Sequence, residues 1–429
     1  MIKTVSKIKN LKGEITIPAD KSISHRAVMF SSLAKGKSII RNFSSGADCH
    51  STLNLFKNLG IKADFIDEKT LQIEGGKLIP SSSDNIYSCG NSGTTMRLVS
   101  GILAGQNFDS ILTGDTSLSK RPMKRIIEPL KLMGADISSM DGKAPLYIKG
   151  KQLQGIEYAS QISSAQVKSC ILLAGLNERT QGKTIYTEPV KSRNHTELML
   201  KYLGAEIKVD GNTTIIYPSE LTAKDIEVVG DISSAAFFIV AGLIVEGSDF
   251  VIKNVGINDT RTGILDVVKR MNGNIEILNK REISGELCAD IRVQYSDSLR
   301  GCEISGEDIP KLIDELPVIA VLASQAEGET IVKDAGDLRN KETDRISCVV
   351  KELQKIGVDI FEQEDGFIIN GSLKKGLTGG ANLEVYHDHR LAMSFYVAGL
   401  ICEKEIAING FEWINISFPE FEQLLEKIK

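Results

Sequence analysis

Six stretches of the chain share one hydrophobic pattern, an almost continuous apolar run that ends alike and leads into a β-branched segment. They read HRAVMFSSLAKGKSIIRNF, TTMRLVSGILAGQNFDSILTG, SAQVKSCILLAGLNERTQGKTIYTE, SSAAFFIVAGLIVEGSDFVIKNV, DELPVIAVLASQAEGETIVKDAG and HRLAMSFYVAGLICEKEIAING. Runs apolar nearly all round, such as FFIVAGLIV, predict helices buried beneath sheets rather than surface helices. The alanines aligned by the pattern are Ala34, Ala104, Ala174, Ala241, Ala323 and Ala398, so the repeat is 67 to 82 residues long. A second helical segment follows each one and runs through glycine into a strand: LFKNLGIKADF, LKLMGADIS, LKYLGAEIKV, VKRMNGNIEIL and LQKIGVDIF, with FEQLLEKIK as the sixth. In the first four, Gly or Asn-Gly stands where a left-handed cap would end the helix.

Each unit therefore reads strand, helix, strand, helix, strands. A period near 70 residues is longer than that of solenoid repeats, which favours globular domains with internal pseudo-symmetry. Six units over 429 residues suit two α/β domains of three units each, with the midpoint near Gly230.

Composition narrows the function. At 42% hydrophobic and 25% charged, with a net charge of −5, the chain has an ordinary globular balance. Its Lys and Arg residues are spread out, which argues against nucleic acid as partner. No window of about 18 apolar residues suggests a membrane span, and the start MIKTVSKIKNLKGEITIP lacks a signal-peptide run. Seven scattered cysteines without a Cys-x-x-Cys pair predict reduced thiols in the cytoplasm. Cys89, in a Gly-rich loop, is a candidate nucleophile by position but reads better as a space-filling residue.

Polar clusters recur at one position, the start of each buried helix. They are ADKSISHR (19–26), CGNSGTTMR (89–97), QISSAQVK (161–168), VGDISSAA (229–236), KLIDELP (311–317) and YHDHRLAM (386–393). Two more, GDTSLSKRPM (114–123) and RNKETDRIS (339–347), fall in loops. Helix starts offer unpaired N–H groups and a positive dipole end, and small residues admit a ligand to the backbone. Lys21, Arg26, Arg97, Arg121 and Arg390 add charge, so a phosphate- or carboxylate-bearing ligand is expected rather than a metal or cofactor. Among the five histidines no zinc-ligand spacing exists. Each cluster alone could be simple helix capping, and DHR a structural ion pair. In RNKETDRIS, a helix counted from Lys341 would set Lys341 and Arg345 one turn apart and Glu342 toward the buried side. Like charges so placed cost roughly 0.2–0.5 kcal/mol without an anion between them.

The motifs KSISHR, GNSGTTMR, RPM, SSAQ, IDELP, KETDR and DHR.AM, in this order over nearly the whole chain, resemble the 5-enolpyruvylshikimate-3-phosphate synthase family. The resemblance implies an inside-out α/β barrel type of fold, two domains each of three βαβαββ units with buried parallel helices. It implies one domain from residues 1–20 plus 230–429 and another from 21–229. The active site would lie in the cleft between them, with closure on substrate. The reaction implied moves the enolpyruvyl group of phosphoenolpyruvate to the 5-hydroxyl of shikimate 3-phosphate, without a cofactor and in a monomer, with glyphosate as inhibitor.

Residue by residue, the resemblance makes Lys21, Asp314 and Glu342 catalytic. Lys21, Ser22, Arg26, Ser163, Ser164, Gln166, Ser192, Arg193, Asp314 and Lys341 would meet shikimate 3-phosphate. Lys21, Asn91, Gly93, Thr94, Arg121, Gln166, Arg345 and Arg390 would meet phosphoenolpyruvate. The chain departs from the pattern at Ile416, where some members carry a lysine for phosphoenolpyruvate, and at Asp337, where some carry Asn. Two other readings stay open: an enolpyruvyl transferase acting on UDP-N-acetylglucosamine, and a non-catalytic scaffold for anionic metabolites.

Overall fold

Short polar side chains start most of the buried helices. In the computed structural model, which describes residues 1–81, 84–373 and 376–429, the buried helices are α1 (Lys21–Leu33), α3 (Gly93–Ala104), α5 (Ala165–Leu176), α7 (Ile232–Ile244), α10 (Leu316–Ser324) and α12 (His389–Gly399). The amphipathic partners are α2 (Ala47–Asn58), α4 (Lys124–Leu132), α6 (His195–Tyr202), α8 (Gly263–Arg270), α11 (Arg345–Lys355) and α13 (Phe421–Glu426), and a single turn, α9 (Ile309–Leu312), precedes α10. Asp20, Ser92, Ser164, Asp231 and Asp388 cap α1, α3, α5, α7 and α12, each accepting a backbone N–H from the first turn. Glu315 stands at the same place before α10 without making that bond. The all-apolar runs are buried as expected; in α7 every residue but Ser234 is out of solvent.

The amphipathic helices end at left-handed residues, Gly60, Gly134, Gly204, Asn272 and Gly357. In the fourth repeat it is Asn272, not the following glycine, that takes positive φ, because an asparagine side chain tolerates that region. Gly273 answers a different need: a Cβ there would lie 2.5 Å from Val268 Cγ1. One expectation fails in RNKETDRIS. The helix does not begin at Lys341: residues Gly336–Asn340 form a 3-10 turn, and α11 starts at Arg345. Asp344 decides this by capping, its Oδ1 accepting from Ser347 N at 3.1 Å.

Five four-stranded sheets repeat one order, a parallel outer strand, a central strand, then a hairpin running back across it. In one, Ile86–Ser88 runs parallel to Ser110–Thr113, which pairs antiparallel with Lys143–Lys149, and that strand with Asp136–Met140. In two sheets the parallel strand comes from far away in sequence: Ile226–Glu227 joins Gly36–Arg41, and Lys12–Thr16 joins Asp249–Gly256. The sixth repeat varies, with Ile406–Asn409 between Asn382–Glu384 and Ile2–Val5. Parallel and antiparallel strands thus mix in separate sheets, and no closed barrel forms among the described residues.

The chain divides into two units. One holds Met1–Pro18, Gly230–Arg281 and Leu287–Lys429; the other holds Ala19–Val229 with the hairpin tip Glu282–Glu286. In the first, α7, α10 and α12 pack on one another over a core of Phe237, Phe238, Phe395 and Phe421. In the second, α3 packs against α1 and α5. No described helix is long and apolar enough to cross a membrane.

Candidate active site

In the second unit the candidate residues gather at the starts of three helices. Lys21, the first residue of α1, pairs through Nζ with Asp48 Oδ2 at 2.5 Å. One turn on, Arg26 is buried, its guanidinium bound by neutral groups: Nε donates to Thr196 Oγ1 (2.7 Å), Nη2 to Ser169 Oγ (2.9 Å) and Nη1 to the Ser22 carbonyl (2.9 Å). Burial draws its pKa down to about 10, against the pull of Glu197 and Asp20, so it keeps its charge near neutral pH. Arg193 is close enough to act on Arg26 electrostatically. Ser164 caps α5, Ser163 Oγ accepts from Val190 N at 3.0 Å, and Ser192 is buried in the loop before α6.

Two sets of hydrogen bonds meet at the start of α3, one from the loops beside it and one from α5. Arg121 Nη2 donates to Asn91 Oδ1 (2.8 Å), and Asn91 in turn donates to Asp115 Oδ2 (2.7 Å). Gln166 donates to Thr94 Oγ1 (3.0 Å) and accepts from Arg97 Nη1 (2.6 Å). Gly93 sits between the two arginines; a Cβ there would lie 3.0 Å from Arg97 Nη1 and 3.5 Å from Arg121 Nη1. The absence of a side chain at Gly93 therefore spares the space beside the two guanidiniums.

In the first unit Arg345 is the hub. It is 1% exposed, and its guanidinium meets three carboxylates: Asp388 (Nε to Oδ2, 2.7 Å), Glu342 (Nη2 to Oε2, 2.6 Å) and Asp314 (Nη1 to Oδ1, 3.3 Å). Burial works to lower its pKa, but Asp388, Glu342 and Asp314 outweigh it and hold the guanidinium above its ordinary value. Lys341 Nζ stands 3.4 Å from the same Asp314 oxygen. Arg390 Nη1 donates to the Asp314 backbone carbonyl at 3.1 Å and lies 3.6 Å from Glu315 Oε1. Asp314, Lys341, Glu342, Arg345 and Arg390, chosen from three separate motifs, thus form one cluster.

Its sequence and its geometry have the same counterparts. The chain matches the family model for EPSP synthase (3-phosphoshikimate 1-carboxyvinyltransferase) over residues 5–425. It belongs to the EPSP synthase family. A 3-phosphoshikimate 1-carboxyvinyltransferase of Geotalea uraniireducens is 50% identical over 428 residues, 99% of this chain and 98% of that one. One of Thermodesulfovibrio yellowstonii is 51% identical over 437 residues, with both chains fully covered. An EPSP synthase structure from Acinetobacter baumannii superposes with a TM-score of 0.89 at 42% identity, over 100% of this chain and 98% of that one. The enolpyruvyl transferase NikO of Streptomyces tendae shares the fold at a TM-score of 0.80 and 16% identity, over 100% and 97% of the two chains.

Several EPSP synthase residues escaped sequence reasoning. Asp48, the partner of Lys21, sits mid-sequence in GADCHST with nothing to mark it. Lys168 is 1% exposed and lies between Glu188 (2.7 Å) and Glu197 (2.8 Å), although an unmarked lysine inside an apolar run suggested nothing. Glu315 is buried and accepts from Ser233 Oγ, itself held by Arg261 Nη2 at 2.5 Å. For DHR a structural ion pair is one alternative, and Asp388, not named as a site residue, caps α12 and pairs with Arg345. Cys89 is fully buried and burial pushes its thiol up, which fits a space-filling residue. Ile416 ends a 3-10 turn and Asp337 is exposed.

Proposed function

We infer that this chain is a 3-phosphoshikimate 1-carboxyvinyltransferase, which moves the enolpyruvyl group of phosphoenolpyruvate to the 5-hydroxyl of shikimate 3-phosphate and releases phosphate. The observation that carries the reading is the match to relatives of that activity along the full chain. In the reaction, C3 of phosphoenolpyruvate gains a proton and C2 becomes electrophilic. The 5-hydroxyl loses its proton as its oxygen bonds to C2. The tetrahedral adduct then returns the C3 proton while the C2–O bond to phosphate breaks. Such chemistry needs proton carriers on two sides and cations around two phosphates and two carboxylates.

We assign Asp314 as base for the 5-hydroxyl, Glu342 as carrier of the C3 proton, and Lys21 as the cation that assists transfer. Shikimate 3-phosphate is held by Ser22, Arg26, Ser163, Ser164, Gln166, Ser192, Arg193 and Lys341. Phosphoenolpyruvate is held by Arg121, Arg345 and Arg390, whose planar guanidiniums suit carboxylate and phosphate, with Asn91, Gly93 and Thr94 against it. Because each unit carries only part of this set, the reaction requires both, and substrate binding is expected to close them around it and expel water. A Cβ at Gly93 would lie 3.0 Å from Arg97 Nη1, and the lack of one there supports inhibition by glyphosate, a small anion. Seven unbridged cysteines support a reducing compartment, the cytoplasm, and the enzyme is proposed to act as a monomer.

The assay is phosphate release from phosphoenolpyruvate with shikimate 3-phosphate or UDP-N-acetylglucosamine as acceptor. Release with shikimate 3-phosphate alone is expected. Release only with the sugar nucleotide would select the other transferase, and release with neither would leave a metabolite-binding scaffold.

A further inference from the structure

Two consecutive residues just before α12, Tyr386 and His387, hold left-handed backbone angles, φ +52° and +64°. Neither is glycine, so the conformation is disfavoured and something must hold it. Helix α11 supplies one clamp. Glu352 on that helix is buried; its Oε1 accepts from the Tyr386 hydroxyl at 2.7 Å and its Oε2 from Glu384 N at 3.0 Å. Lys355 Nζ, 2.6 Å from Oε2, balances the charge. A second clamp is the His387 ring, whose centroid lies 4.6 Å from that of Trp413.

The strained turn ends on Asp388, whose carboxylate does two things. It accepts from Arg390 N at 2.8 Å, which starts α12, and from Arg345 Nε at 2.7 Å. Arg345 and Glu352 are seven residues apart in α11, two turns along one face. The same helix face therefore grips the 384–388 segment at both ends, once through Glu352 and once through Arg345. A shift of the turn would move Asp388, and Arg345 and the start of α12 with it.

We propose that Tyr386 and Glu352 are positioning residues of the transfer reaction: they lock the left-handed turn so that Asp388 presents Arg345 and Arg390 to phosphoenolpyruvate. The inference rests on the assignment of those two arginines to that substrate. Tyr386→Phe removes one hydroxyl and little packing. It should raise KM for phosphoenolpyruvate about fivefold, the loss of roughly one net hydrogen bond of organisation, with KM for shikimate 3-phosphate unchanged. Glu352→Gln can keep both contacts, its amide oxygen accepting from Glu384 N and its NH2 donating to the Tyr386 oxygen, and should stay within about twofold of wild type on the same scale. Equal shifts of the two KM values in Tyr386→Phe, or a loss in Glu352→Gln as large as in Tyr386→Phe, would overturn the positioning role and leave the reaction untouched. Failure of the wild-type protein to release phosphate with shikimate 3-phosphate would instead overturn the reaction, and this inference with it.

Discussion

Two buried arginines, one in each unit, have been given opposite surroundings. Arg26 is held by two hydroxyls and a carbonyl, and Arg345 by three carboxylates. Burial lowers the proton affinity of Arg26, whereas its acidic neighbours raise that of Arg345. The physical lesson is that the same side chain serves two ends. The charge of Arg26 is not cancelled by the groups that orient it, so it remains available to an anion. Arg345 is more than neutralised by its own contacts, and it organises Glu342, Asp314 and Asp388 as much as it could hold a ligand.

The largest effect should come from the acidic pocket. Glu342→Gln keeps the shape and a hydrogen-bonding partner for Arg345 but cannot carry the C3 proton. Turnover is expected to fall by roughly 10²- to 10⁴-fold with both KM values little changed. Turnover that survives would make Glu342 a counter-ion of Arg345 and nothing more.

Next in size is a stability contrast read from urea unfolding. Arg345→Met strands Asp388, 0% exposed, with two partly buried carboxylates, and should cost about 3–5 kcal/mol. Arg26→Met leaves only neutral partners unsatisfied and should cost about 1–3 kcal/mol, while weakening shikimate 3-phosphate. The reverse ranking would erase the distinction between the two surroundings.

Acid should reach the Arg26 region through His25. This ring is buried, its Nδ1 2.6 Å from Thr52 Oγ1, and burial lowers its pKa to about 3. A folded pKa below the unfolded value of 6.5 means the unfolded chain takes up the proton first as pH falls. The stabilising contribution is full above about 6.5 and is lost on descent toward 3. His25→Phe should flatten unfolding free energy against pH in that window, by at most ~1.4 kcal/mol per pH unit; an unchanged slope would rule His25 out. The smallest effect is expected from Gly93→Ala, since the atoms its Cβ would crowd are the ends of two long, flexible side chains, Arg97 and Arg121. A rise of about two- to tenfold in KM for phosphoenolpyruvate, with unfolding unaltered, would match that geometry.

Periodicity was enough to find the repeats, because an all-apolar helix and a glycine-ended amphipathic one leave separate, strong patterns. It could not assign strands such as Lys12–Thr16 to a sheet, since their partners lie more than two hundred residues away and no local spacing encodes that pairing. For the candidate site, the residues that carry charge in short ordered motifs were legible: Arg121 does meet Asn91, and Arg345 does meet Glu342. The supporting residues were not. Asp48, Glu315, Lys168 and Glu352 matter through what lies across from them in space, and nothing local in the sequence tells them from other charged residues, even where, as at Lys168 and Glu315, they fall inside a polar cluster. RNKETDRIS shows the intermediate case, where the right residues were chosen on the wrong local geometry because a single aspartate cap moved the helix start by four positions.

The caps of the buried helices have one more consequence. Each helix start carries roughly half a positive charge, and in the first unit Glu315 makes no cap bond to α10 while α7 and α12 each meet a carboxylate, from Asp231 and Asp388. In the second unit only α1 does, through Asp20, whereas α3 and α5 are capped by uncharged Ser92 and Ser164. Six copies of one backbone plan are therefore not six equivalent electrostatic sockets: three are capped by an aspartate, two by a serine and one by no side-chain bond. A change as small as Ser to Asp at position 92 or 164 would fill a socket without disturbing the helix. The expected outcome is an unchanged fold with weaker binding of an anionic substrate.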